Sequence, residues 1–114
     1  MNDNFPQQVK HEDLPKTLYE FYRGRNERID EVFSKYERDV TTGASGEDRS
    51  EIGYNNQQYK RIADQLQDGE EEVMVEWYEP HVEHSTPPKI SMQKKRFKLE
   101  QRYGSWIKHS HDMT

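Results

Sequence analysis

Cysteine is absent from the chain, which excludes a disulfide framework and any thiolate metal site. Long apolar runs are missing too: no stretch approaches the ~18 residues of a membrane-spanning helix. The opening Met1-Asn2-Asp3-Asn4-Phe5-Pro6 lacks the basic and apolar regions of a secretory signal. A cytoplasmic location without membrane contact is the expectation. Catalytic motifs are also lacking. No serine sits in a G-x-S-x-G turn, and neither a phosphate-binding P-loop nor a G-x-G-x-x-G fingerprint occurs.

Apolar residues are few. Leu, Ile, Val and Phe number 19 of 114, a share below the ~20% mark where disorder becomes a concern. Seven Tyr, two Trp and four Met add apolar surface that this count misses. A chain of this length makes one domain with a small core. A partner is expected to supply part of the burial, and a second copy of the same chain is one candidate.

The net charge of -5 hides a polarity. Residues 1–88 carry 10 Lys and Arg against 20 Asp and Glu, a net of -10, whereas residues 89–114 carry 7 against 2, a net of +5. An acidic body with a basic end attracts itself, a second copy or an acidic partner.

Residues 1–12 show no period and read as a loose lead. From Leu14-Pro15 onward, Leu18, Phe21, Tyr22, Ile29, Val32, Phe33 and Tyr36 recur at spacings of three and four, the mark of one helical face. Asp13 is the expected cap, with Thr17 and Glu20 as a rival capping box. This helix is expected over 15–40, with Arg25 laying its stem across the apolar stripe. Residues 41–55, rich in Gly and Ser, read as a loop. A short second helix, capped by Asn55 or Asn56, carries Tyr59, Ile62, Ala63 and Leu66 and stops at Gly69.

The period then changes to two. Val73, Val75 and Trp77 alternate with Glu72 and Glu76 as in a half-buried strand, which Pro80 ends or sets at an edge. A second strand is expected over 89–99 and a third over 101–108, with Gly104 at a bend or turn. Ile90 and Met92 lie on one parity and Phe97 and Leu99 on the other, so a bulge is expected near 93–95. The fold expected is α+β: a long N-terminal helix, a short second helix, then a small two- or three-stranded antiparallel sheet. One domain spans 13–108, and 109–114 form a loose tail.

Candidate chemistry is sparse. His81 and His84 lie near Glu79 and Glu83, and His109 and His111 precede Asp112, but these spacings match no established zinc motif. Glu70, Glu71 and Glu72 are consecutive, so in a strand they do not converge on one point. No catalytic residue, metal site or cofactor is assigned, and the chain is read as not an enzyme.

Two surfaces stand out. The apolar face of the first helix (Leu18, Phe21, Tyr22, Ile29, Val32, Phe33) is a candidate protein interface, including one between two copies. The basic, aromatic end (Lys94, Lys95, Arg96, Lys98, Arg102, Tyr103, Trp106) suits an acidic partner or nucleic acid, since cations meet phosphates and exposed rings stack on unpaired bases. The competing explanation pairs Glu72 and Glu76 across the sheet with Lys94, Arg96 or Lys98, and places the aromatic rings in the core. The leading expectation is a non-catalytic protein-interaction module, a small adaptor, assembly factor or inhibitor that occupies a partner's surface. Nucleic-acid binding through 89–108 is the alternative.

Overall fold

The computed structural model describes residues 4–36 and 50–110. Strand β1 (Gln8–Lys10) leads through a single 3-10 turn (His11–Asp13) into helix α1 (Leu14–Tyr36). Helix α2 (Ser50–Gln67) and strands β2 (Glu72–Glu83), β3 (Lys89–Arg102) and β4 (Ser105–Ser110) follow. The strands form one antiparallel sheet in the order β1-β4-β3-β2, and the fold class is α+β.

The sheet therefore has four strands rather than two or three. The extra strand comes from the lead, where Val9 sits opposite Trp106. Three residues are too few to show a period, and the pairing is created by β4.

Helix α1 begins at Leu14, ahead of the rival start at Thr17, whose hydroxyl donates to the Asp13 carbonyl at 3.0 Å. The residues expected to finish this helix, 37–40, lie outside the described residues. Helix α2 starts at Ser50, so the last part of the expected loop is helical; 41–49 lie outside the described residues. Asn55 and Asn56 are thus interior to α2 and do not cap it. Asn55 is fully buried, because its amide serves the sheet and not the helix end. Gly69, at φ +80°, ends the helix in the left-handed conformation that glycine adopts at least cost.

Strand β2 does not end at Pro80. Pro80 pairs with Met92, and the strand continues to Glu83. The outward-facing backbone of Met74, Glu76 and Tyr78 shows that even-numbered residues of β2 point away from β3. Pro80 shares that parity, so its missing N–H removes no bond to β3. The edge position is what admits the proline.

No bulge interrupts β3. Its pairing with β2 is continuous from Glu72↔Glu100 to Glu83↔Lys89. The parity conflict is resolved because each face of the strand buries apolar residues at a different end. Phe97 and Leu99 face the main core with Val73, Val75 and Trp77. Ile90 is buried on the other face, which also carries Val82 and Tyr78, where Tyr54 of α2 packs on Tyr78 at 4.9 Å. The β3–β4 hairpin turns through Tyr103 (φ +54°) and Gly104 (φ +79°), the two positive φ values that a tight two-residue hairpin needs.

The scarcity of aliphatic residues is offset by rings. Phe21 of α1 stands 4.9 Å from Trp77, 5.5 Å from Phe5 and 6.0 Å from Phe97, in edge-to-face geometry. Such pairs contribute about 0.5–1.5 kcal/mol each beyond the area they bury. Trp106 is also fully buried, and its indole N–H donates to His11 Nδ1 at 3.0 Å.

Candidate protein interface

The first-helix residues are brought together, but inside the chain. Leu18, Phe21, Tyr22, Ile29 and Val32 are buried and Phe33 is half-buried. Pairing two copies through this face would require the core to open.

The basic end is dispersed along both sides of the sheet and largely matched with acids. Arg96 lies 3.8 Å from Glu76, its cross-strand neighbour, and Lys98 lies 3.8 Å from Glu72. Lys95 reaches Glu79 at 3.0 Å, and Arg102 reaches Glu100 at 3.2 Å. Burial opposes ionisation of Glu100, but Arg102 and His109 together outweigh it and hold the carboxyl below its usual range. Trp106 is core. Lys94 remains on the surface with its ammonium 5.0 Å from the Tyr54 ring centre, and hydrogen bonding to Tyr54 keeps that ammonium charged above its ordinary range. Tyr103 stands fully in solvent at the hairpin tip.

Of the histidines, His109 meets Glu100 at 3.0 Å and His111 lies outside the described residues. Among the described residues no three His, Asp or Glu side chains gather as metal ligands.

The concave surface of interest lies elsewhere. A groove of about 850 Å³ separates α1 from the distal half of the β2–β3 hairpin, with Phe5 and Pro6 at one end. Helix α1 contributes Glu20, Gly24, Arg25 and Arg28 to its wall; the hairpin contributes Glu79, His81, Gln93 and Lys95. Glu79 is the organising group. It accepts the Trp77 indole N–H at 2.7 Å and meets Arg25 at 3.5 Å and Lys95 at 3.0 Å. Arg25 thus crosses the apolar stripe over the Phe21 ring, as expected, but its head reaches a carboxylate and not open water.

Gly24 lies in the interior of α1, where glycine costs about 1 kcal/mol relative to alanine. A Cβ there would meet nothing within 4 Å, so packing within the chain does not require the glycine. It leaves the groove wall low. The sequence reading missed Gly24, Arg28 and Gln93; a glycine inside an amphipathic helix was the one signal that could have pointed there.

The β2 edge of the sheet is closed from Met74 to Tyr78. Along β2, the Arg61 guanidinium donates to the Met74 carbonyl at 3.1 Å and the Tyr22 hydroxyl donates to the Glu76 carbonyl at 2.7 Å. Asn55 pairs with both backbone groups of Tyr78. Burial pushes the Tyr22 hydroxyl far above the usual phenol range, so it stays a donor. Three helix side chains occupy the places a further strand would take.

Comparison with models of known protein families, with curated sequences and with solved structures yields no match.

Proposed function

We propose that this chain is a non-catalytic protein-interaction module that holds a segment of a partner protein in the groove between α1 and the β2–β3 hairpin. The observation that supports this reading is the groove itself, long and open, with mixed charge and a low wall at Gly24. Arg25 and Lys95 in the groove pair with Glu79, an arrangement that supports recognition of a partner over proton transfer. A surface of this kind suits an adaptor or an inhibitor.

The test is a random-peptide display library selected against the wild-type chain. Selected peptides should bind Gly24→Arg about ten-fold more weakly or worse, a loss of about 1.4 kcal/mol, while the melting temperature is kept. A library that enriches no peptide, or peptides indifferent to Gly24→Arg, overturns the reading.

Nucleic-acid binding remains the second reading, now carried by Lys94, Arg96, Arg102 and Tyr103, the members of the basic end that stay at the surface. It requires an oligonucleotide affinity that falls steeply with salt and drops on Lys94→Ala and Arg102→Ala.

A further inference from the structure

The two long edges of the hairpin are treated differently. From Met74 to Tyr78 the β2 edge is closed by Tyr22, Asn55 and Arg61. On the other side, among the described residues, β4 pairs with Phe97–Arg102 of β3 and with no earlier part of that strand. The half of β3 from Lys89 to Arg96 extends past it. Even-numbered residues of β2 point away from β3, so the odd-numbered pairs, such as Trp77↔Lys95, exchange the bonds between these strands. The backbone N–H and C=O of Ile90, Met92 and Lys94 therefore face away from β2; Ile90 is buried, and those of Met92 and Lys94 lie on the accessible part of the edge. Among the described residues nothing pairs with them there. This edge borders the groove, because Gln93 and Lys95 of the same strand line it.

An open strand edge is a template for another strand, and the sign of its charge selects which. Residues 89–96 carry Lys89, Lys94, Lys95 and Arg96 and no acid. Lys95 and Arg96 are drawn toward Glu79 and Glu76 on β2, while Lys89 and Lys94 are exposed. A second copy added antiparallel would lay one cationic strand beside another, and like charges across a strand pair destabilise it. We propose that the open edge of β3 over Met92–Lys94 binds an extended acidic segment of a partner protein by strand addition. This rests on the interaction-module reading and names its mode and partner chemistry. Alternate residues of the added strand face the groove, and the others face the side of Lys94.

The experiment uses the whole chain, ¹⁵N-labelled, and three capped eight-residue probes. One alternates glutamate and valine. The second is the same peptide N-methylated at its two central residues, one on each edge. The third alternates lysine and valine. Saturation with the acidic probe should slow amide exchange at Met92 and Lys94 about ten-fold or more. N-methylation should weaken binding at least ten-fold, and the lysine probe should bind no better than that. Met92→Pro should also weaken the acidic probe, since it removes one outward N–H without breaking a bond to β2, and circular dichroism will verify the fold. Failure of the acidic probe to bind, binding without protection of the two amides, or equal binding of the lysine probe overturns the proposal. So does a wild-type dimer in which those amides are already protected. If library-selected peptides are lost on Gly24→Arg yet leave the two amides unprotected, strand addition falls and the interaction module stands.

Discussion

The side chain of Asn55 pairs with both backbone groups of Tyr78, accepting its N–H at 2.8 Å and donating to its carbonyl at 3.1 Å. In this way a helix residue completes the ladder of an edge strand. The same amide donates to Asn26 of α1 at 3.0 Å, so one buried side chain ties both helices to the sheet.

Asn55→Ala strands the Tyr78 N–H and carbonyl in a buried setting. Leaving such groups unsatisfied costs about 1–3 kcal/mol. Urea denaturation should show a loss of that size, with an unchanged slope. Asn55→Asp keeps the acceptor, loses the donors and buries a charge, so it should not restore stability.

Gly24→Ala should raise stability by about 0.5–1 kcal/mol, because alanine restricts the unfolded chain and the helix has room for the methyl group. Thermal unfolding is the measurement. A loss of stability would mean that a neighbour crowds this position after all.

Glu79→Gln removes the charge shared by Arg25 and Lys95 while keeping an acceptor for Trp77. The side chain is only 17% exposed, so solvent screens the pairs less than on an open surface. A destabilisation of about 1–2 kcal/mol is expected, below the 3–5 kcal/mol of a deeply buried broken pair. Added salt should narrow the gap between variant and wild type.

Glu100 gives a pH signature. Its folded-state pKa lies below the ordinary 4.5, so the folded chain binds this proton less readily than the unfolded one. Its stabilising effect is present above the unfolded value and is lost as pH falls through the folded value. Acid unfolding of Glu100→Gln should be less steep over that interval, and its stability near neutral pH should be lower than that of the wild type.

The spacing of apolar residues by itself determined the α+β class, the long first helix, the stop at Gly69 and the half-buried strand after it. These are local signals, because a helix face and a strand face each repeat within a few residues. The acid–base pairing of Glu72 and Glu76 with Lys98 and Arg96 was legible for the same reason: alternation fixes which side chains share a sheet face.

Tertiary structure decided the rest. It made a strand of Gln8–Lys10 by offering β4 as a partner. It carried β2 through Pro80 because that residue's nitrogen faces away from β3. It let β3 run straight because the second face of the hairpin also buries an apolar residue, Ile90. It also placed the groove, whose walls come from residues more than fifty positions apart, such as Gly24 and Gln93. Neither a strand edge nor a cleft exists until the elements pack, and no period in the sequence encodes which backbone groups are left without a neighbour.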